Sequence, residues 1–130
     1  MRMKLELVPL PVSDVGRALA FYVEILGFHL DHDVSPTEGV RVVQVTPEGS
    51  ACSFGFGTGL DVYRGEPGTV RGLHLVVEDI EAARANLISR GVEVAEIHDF
   101  GGGVRGANFY DPDGNSFELQ EMTWRKGEAF

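Results

Sequence analysis

Two titratable side chains in this sequence lie where they could do chemistry. Glu118 interrupts the strand-like run "SFELQEM", and His74 interrupts the strand-like run "GLHLVV". A carboxylate in such a place can accept a charged hydrogen bond, bind a metal ion or transfer a proton. Imidazole groups titrate near neutral pH, so His74 is the best general acid or base in the chain. Each group could equally be an ordinary solvated or hydrogen-bonded side chain on a sheet face.

The turn "DPDGN", residues 111–115, places Glu118 on the second strand of a predicted β-hairpin. Pro112 presets φ, while Gly114 and Asn115 tolerate the positive φ of a hairpin connection. Opposed residues of an antiparallel pair share a face, so one face should be polar and the other should pack against a helix. Closure about Asp113 pairs Tyr110 with Ser116, Phe109 with Phe117, Asn108 with Glu118, and Gly106 with Gln120. The polar face then holds Asn108, Tyr110, Glu118 and Gln120, and the packed face holds Ala107, Phe109, Phe117 and Leu119.

The elements that position these residues occur twice. A shift of 65 residues aligns Val12, Asp14 and Ala18 with Val77, Asp79 and Ala83. Each half has an apolar strand, an acidic helix start, an amphipathic helix that ends near a glycine, and further strands. The first helix should be capped by Ser13 or Asp14 and end at Gly27. The later strands are expected in "FHLDHDV", "VRVVQV" and "ACSFGF", and then in "VEVAEI", "VRGANFY" and "SFELQEM".

The predicted fold class is therefore α+β, with two βαβββ repeats in a single domain of 130 residues. The first half should cover about 1–57, the linker about 58–69 and the second half about 70–124, with the first strand over Lys4–Val12. Four strands and one helix cover only one face of a sheet, so the other face must meet its counterpart or a ligand. Two such sheets would form a cup. Strand alternation then predicts a pocket lined by Leu7, His74, Asn108, Tyr110, Glu118 and Gln120.

The amino-acid composition limits the classes of partner that the protein could bind. The formal charge of −9 argues against nucleic acid and anionic membranes, and favours cationic or neutral ligands. The N-terminal apolar stretch is broken by Glu6, Pro9 and Pro11, which fits neither a signal peptide nor a membrane span, so a cytoplasmic location is expected. The single cysteine, Cys52, has no partner for a disulfide or for a structural zinc site.

Smaller features have simpler predictions. Phe54 and Phe56 are expected in the core, and the glycine-rich segment "DFGGGVRG" is expected to be a mobile loop. Gln44 alternates with valines, and the sequence leaves open whether it faces the cup or solvent. Trp124 could cap the pocket or pack on the surface.

Three segments together resemble the vicinal oxygen chelate superfamily, which includes glyoxalase I, bleomycin resistance proteins and extradiol dioxygenases. They are "PVSDVGRALAFYVEILGF", "LHLVVEDIEAARANLISRGVEV" and "FYDPDGNSFELQE". The resemblance implies the cup-shaped fold. It also implies that metal-dependent members bind a divalent ion with His or Gln on the first strand of each half and Glu on the last.

On that resemblance Glu118 falls on the last ligand position. The first-strand positions fall on Leu7 and, by the 65-residue shift, on Gly72, and neither can coordinate a metal. The remaining position should lie in 50–57, where Cys52 is the only metal-capable side chain. A divalent ion needs three or four protein donors, so the sequence predicts no metal and no cofactor. A displaced site that uses His74 and Glu118, with ligands from another chain, remains the alternative.

The expected function is therefore metal-independent binding of a small aromatic or cationic molecule, as in the bleomycin resistance branch, for sequestration or resistance. The alternative is a glyoxalase-like lyase or isomerase, or a dioxygenase-type enzyme. Such an enzyme would use the displaced metal site or His74 and Glu118 as acid and base. The resemblance also implies a homodimer, because family members often complete the cup with a second chain.

Overall fold

The computed structural model describes residues 1–130, and the chain divides into two units, Met1–Thr69 and Val70–Phe130. Each unit contains one four-stranded mixed sheet, and the strand order is β1-β4-β3-β2 in the first unit and β5-β8-β7-β6 in the second. The pairs β1–β4 and β5–β8 are parallel, and the other pairs are antiparallel. The fold class is thus α+β with two βαβββ units, as predicted.

The first unit consists of β1 (Leu7–Pro9), α1 (Val15–Leu19), β2 (His29–Val34), β3 (Arg41–Thr46) and β4 (Ser53–Thr58). Asp14, rather than Ser13, caps α1, because its carboxylate accepts a hydrogen bond of 2.9 Å from the Arg17 backbone N–H. After Leu19 the helix continues as a π-helix over Ala20–Ile25. Tyr22 and Phe56 are fully buried, with ring centroids 5.7 Å apart, and they anchor the core of this unit.

The first strand is shorter than the predicted Lys4–Val12. Only Leu7–Pro9 form a strand, alongside β4. Proline has no N–H to donate, so Pro9 and Pro11 limit the ladder at this point. The main chain still donates from Leu10 N–H to the Gly55 carbonyl at 2.8 Å.

The second unit consists of β5 (Leu73–Val76), α2 (Ile80–Ser89), β6 (His98–Gly101), β7 (Val104–Tyr110) and β8 (Ser116–Met122). Asp79 caps α2 by accepting from the Ala82 N–H at 3.0 Å. The hairpin register is confirmed at every predicted pair. Residues on the packed face are buried, and the rings of Phe109 and Phe117 stack with centroids 5.3 Å apart.

The predicted strand "VEVAEI" was wrong, because the structure places β6 later, at His98–Gly101. Val94 makes only an isolated bridge to Phe109. The Arg84 guanidinium on α2 donates to the carbonyls of Val94 and Ala95 at 3.2 and 2.8 Å, so these groups bond to a side chain instead of a neighbouring strand.

The segment "DFGGGVRG" is likewise not a plain loop. Its residues close the β6–β7 hairpin, and Gly101, Gly102 and Gly103 all have positive φ in the turn. Glycine adopts this conformation without steric cost. Elsewhere, Phe54 and Phe56 are buried as predicted, and Trp124 is exposed. No helix in the chain is both long enough and apolar enough to cross a bilayer.

Candidate functional site

A pocket of about 290 Å³ lies on the sheet of the second unit. It is on the face opposite α2, because Leu119 and Glu121 alternate with the pocket residues along β8 and face the helix. All four strands of the sheet contribute to the lining. The lining residues are His74, Phe100, Val104, Gly106, Glu118 and Gln120.

Glu118 lies in the middle of this face. In the sheet register it is flanked by His74 on β5 and by Asn108 on β7. Its carboxylate forms no hydrogen bond or ion pair with any group of the chain, and it is not a fully buried group. The carboxylate is therefore available to a ligand.

Gly106 makes room for this carboxylate. A Cβ atom at position 106 would collide with the Glu118 carboxylate and would lie 2.8 Å from Cε2 of Phe100. Real Cβ atoms do not approach other atoms so closely, so the pocket depends on a residue without a side chain at this point.

Glu121, three residues further along β8, has the opposite environment. Its side chain is only 6% exposed, and it accepts from the Ile80 N–H at 2.9 Å and from Nη2 of Arg105 at 2.8 Å. The hydrogen bond from the Ile80 backbone, and then the one from Arg105, hold the pKa of the Glu121 carboxyl below its ordinary value. Glu121 thus has a structural role at the start of α2.

His74 is positioned by a short local contact. Its Nδ1 atom lies 2.6 Å from the carbonyl oxygen of Gly72. Gly72 has a φ of 74°, and its N–H donates to Oγ of the buried Ser116 at 2.7 Å. The first strand of the unit therefore presents the imidazole in a defined orientation.

The six predicted pocket residues divide into three groups. His74, Glu118 and Gln120 line the pocket of the second unit. Asn108 and Tyr110 share its sheet face but are not in the lining, because Nδ2 of Asn108 donates to the Phe117 carbonyl at 2.9 Å and Tyr110 ends β7 with 56% exposure. Leu7 belongs to β1 of the first unit, where its side chain lies against Gly55.

Phe100, Val104 and Gly106 line the pocket but were missed by sequence reasoning. For Phe100 the reason is the misplaced strand, because this residue was expected in a loop. Val104 and Gly106 lie on the predicted strand "VRGANFY", but neither has a polar side chain that marks it as a site residue. Phe100 is the only large apolar residue within "DFGGGVRG", and it is 60% exposed. An aromatic residue isolated among glycines was the available signal.

The corresponding face of the first unit carries a closed polar network. The hydroxyls of Ser53 and Thr46 are 2.6 Å apart, and Nε2 of Gln44 donates to Oγ of Ser53 at 3.2 Å. Asp31 accepts from the Thr46 hydroxyl and pairs with Nδ1 of His29 at 2.9 Å; the Thr46 and His29 hydrogen bonds lower its pKa. Gln44 thus lies on this polar face, opposite the buried Val43 and Val45.

The sheet registers show that the second first-strand ligand position was assigned to the wrong residue. Leu7 lies opposite Ser53 in the parallel pair β1–β4, as His74 lies opposite Glu118 in β5–β8. The residue that corresponds to Leu7 is therefore His74 and not Gly72. Asp14 follows Leu7 by seven residues whereas Asp79 follows His74 by five, so the 65-residue shift that aligns the helices misaligns the first strands.

The residues present do not fit the divalent-ion site that the resemblance implies. Leu7 has no donor atom, and the Ser53 hydroxyl is engaged by Thr46 and Gln44. Only His74 and Glu118 remain, and no group of three or more His, Cys, Asp or Glu residues is arranged to hold a metal ion. Two protein donors fall short of the three or four that such ions require.

Comparisons with known proteins agree with this architecture. The family model for the Glyoxalase/Bleomycin resistance protein/Dioxygenase superfamily matches residues 4–119. TnmS3, an antibiotic binding protein from Streptomyces sp. CB03234, is 36% identical with a TM-score of 0.81 over 94% of this chain and 98% of its own. No curated protein matches the chain.

Two further solved structures are similar over most of their length. A glyoxalase/bleomycin resistance protein from Streptomyces sp. CB03234 is 37% identical, with a TM-score of 0.76 over 91% of this chain and 100% of its own. A superfamily member from Sphaerobacter thermophilus DSM 20745 is 34% identical, with a TM-score of 0.78 over 92% and 98%.

Proposed function

Because the chain belongs to the Glyoxalase/Bleomycin resistance protein/Dioxygenase superfamily, we propose that it binds a small aromatic or cationic organic molecule without a metal ion. The observation that carries the proposal is the pocket around Glu118. Its volume of about 290 Å³ is close to the lower limit of ordinary small-molecule sites, and it combines apolar walls with a few convergent polar groups. The lining contains a free carboxylate and no Lys or Arg side chain, which favours a cation.

The biological role that fits is sequestration or resistance in the cytoplasm. The similarity to TnmS3, an antibiotic binding protein, supports binding rather than turnover as the main activity. A thermal-shift screen over aromatic and cationic compounds tests the proposal, because a ligand that binds only the native state raises the melting temperature.

Glu118→Gln separates a metal-free pocket from a metal site. The change keeps the shape of the side chain but removes its charge, so a cationic hit from the screen should bind roughly ten- to a hundredfold more weakly. This corresponds to about 1.5 to 3 kcal/mol for one charge-assisted hydrogen bond. Titration calorimetry of wild type with and without EDTA provides the comparison.

The expected result is affinity that is unchanged by EDTA and lowered by Glu118→Gln. Loss of binding in EDTA, or a near-stoichiometric divalent metal in protein purified without chelator, contradicts the metal-free pocket. Indifference to both treatments assigns Glu118 no role in binding.

A second candidate function is acid–base catalysis by His74 and Glu118. The observation that favours it is their direct opposition in the β5–β8 register, which puts their Cα atoms roughly 5 Å apart. Two such groups could act on one substrate atom if both come within hydrogen-bond reach, directly or through water. Mass spectrometry of the screened ligand after long incubation distinguishes the two functions, because an enzyme converts it and a binding protein returns it unchanged.

We also propose a homodimer. Residues 1–6 precede β1, and the side chains of Met1, Met3 and Leu5 are exposed. The three-residue strand β1 is at the edge of its sheet, so one side of its main chain is available for pairing. A second copy of the chain could cover both features.

Sedimentation velocity at micromolar concentration should show a dimer, and deletion of residues 1–5 should shift it towards monomer. The matched control is Met122→Ala, which removes a partly exposed methionine outside this segment. A wild-type protein that sediments only as a monomer contradicts the proposal.

A further inference from the structure

The contact between His74 and Gly72 fixes which ring nitrogen carries the proton. A carbonyl oxygen can only accept a hydrogen bond, so Nδ1 of His74, 2.6 Å from the Gly72 carbonyl, must be the donor. In the neutral imidazole the other nitrogen, Nε2, is then an acceptor with a free lone pair. Because His74 lines the pocket and Nδ1 is engaged, Nε2 is the nitrogen left for a ligand.

Gly72 is itself held from the neighbouring strand and turn. Its N–H donates to the buried Ser116 hydroxyl, and the Val70 N–H donates to Oδ1 of Asn115 at 3.1 Å. Asn115 is completely buried. The carbonyl that orients His74 is therefore held in place directly before β5, in the left-handed conformation of Gly72.

The polar groups that face the pocket are mostly acceptors. Glu118 offers two carboxylate oxygens and His74 offers Nε2, while Gln120 can both donate and accept. A complementary ligand must bring N–H or O–H donors, and the carboxylate favours one that is positively charged.

Phe100 adds a preference for a flat cation. Its exposed ring lies at the pocket beside Gly106, and its edge contact with His98, 4.6 Å between ring centroids, holds it in place. A delocalised planar cation can lie against an aromatic ring and still direct its N–H groups sideways to acceptors, which a tetrahedral ammonium cannot do as well.

We propose that this pocket recognises a planar amidinium or guanidinium group, whose N–H groups donate to the Glu118 carboxylate and to Nε2 of His74 while its plane lies against Phe100. Gly72 is a positioning residue that sets the tautomer of His74. This inference rests on the proposed function, because it names the ligand class of the same pocket.

Three probes that share a benzene ring test the ligand class. Benzamidine is a planar cation, benzylamine is an ammonium cation, and benzamide is planar and neutral. Titrations at pH 8 would be followed by the amide NMR signals of Gly106, Glu118 and Gln120. Benzamidine should bind at least about tenfold more tightly than either of the other two probes.

The outcomes separate this inference from the proposed function. Equal or tighter binding of benzylamine or benzamide at the same amides overturns the amidinium inference and leaves the pocket as a small-molecule site. If none of the probes moves a pocket amide, the amidinium inference is overturned, whereas the proposed function is overturned only if the wider thermal-shift screen also finds no ligand.

Two variants test the role of the tautomer. Gly72→Ala strains a residue with φ of 74° and so should displace the Gly72 carbonyl. The population of the Nε2–H tautomer of His74 should then rise in imidazole ¹⁵N spectra, and the affinity for benzamidine should fall severalfold. Gly39→Ala is the matched control, because Gly39 has a φ of 77° and, like Gly72, has open space around its Cβ position. Gly39→Ala should lower the free energy of unfolding by a similar amount and leave the His74 tautomer and the benzamidine affinity unchanged.

His74→Phe covers the case in which Gly72→Ala fails to fold. His74 is exposed, so this change should preserve the fold while it removes the acceptor. Benzamidine affinity should fall about tenfold. Wild-type benzamidine affinity in His74→Phe, or an unchanged tautomer in a folded Gly72→Ala protein, overturns the assignment.

Discussion

At the scale of single residues, Glu118 and Glu121 have different roles because their environments differ, although both are glutamates. The two carboxylates lie three positions apart on β8 but on opposite faces of the sheet. Glu121 is saturated by Ile80 and Arg105, whereas Glu118 has no partner within the chain. A buried carboxylate with several donors contributes to folding, and an available one at a pocket contributes to binding.

Gly106→Ala should remove binding and keep the fold. The new methyl group would meet the Glu118 carboxylate and the Phe100 ring, both of which are ends of side chains that can move. The displaced groups would fill the pocket, so benzamidine affinity should fall more than about tenfold, a loss of at least about 1.4 kcal/mol. Isothermal titration together with circular dichroism measures both effects.

Gly16→Ala, within α1, serves as the comparison, because the new Cβ would make only an ordinary contact with the side chain of the N-cap residue Asp14. It should raise the free energy of unfolding by about 0.5 to 1 kcal/mol and leave binding alone. Wild-type affinity in Gly106→Ala would mean that the ligand binds elsewhere.

At the scale of elements, Glu121 joins β8 to the start of α2, and this joint should be sensitive to acid. Its folded-state pKa lies below the ordinary value of 4.5, so the unfolded chain binds the proton more readily. The stabilisation is fully present above pH 4.5 and is lost as the pH falls through the folded-state value. Glu121→Gln should lower the free energy of unfolding by about 1 to 3 kcal/mol at pH 7, and less at pH 3.

Urea unfolding of wild type and variant at both pH values gives this difference directly. Glu118→Gln is the paired control on the same strand, and it should change stability little at either pH. If Glu121→Gln lowers the free energy of unfolding by the same amount at pH 3 and pH 7, the charge of Glu121 is not the source of the stabilisation.

Local chemistry explains which elements could be predicted from sequence. The β7–β8 register was correct because the turn at 111–115 fixes it, and side-chain alternation then assigns each residue to a face. Strand β6 was misplaced because "VEVAEI" has the same alternation as a strand, while its carbonyls bond to Arg84, a residue ten positions away. Such tertiary contacts leave no local pattern.

At the scale of the whole molecule, the sequence repeat was enough to predict the fold, but the sequence predicted only part of the pocket lining. The halves match over their helices, which made the βαβββ duplication visible. Phe100 depends on where β6 pairs with β7, and that pairing was not evident from the sequence, whereas Val104 and Gly106 lie on the predicted strand "VRGANFY". His74, Glu118 and Gln120 were found because the turn and the alternation locate them.

The parallel pairing of β5 with β8 has a consequence for synthesis on the ribosome. These strands carry His74 and Glu118, and Leu73 and Phe117, which are register partners, are 44 residues apart in the chain. At about 5 to 20 residues per second, translation takes about 2 to 9 s to supply the second strand after the first. During that interval β5 lacks its only neighbouring strand, so the nascent second unit exposes an unpaired apolar segment that a chaperone could bind. The pocket is therefore assembled only when the last strand has left the ribosome.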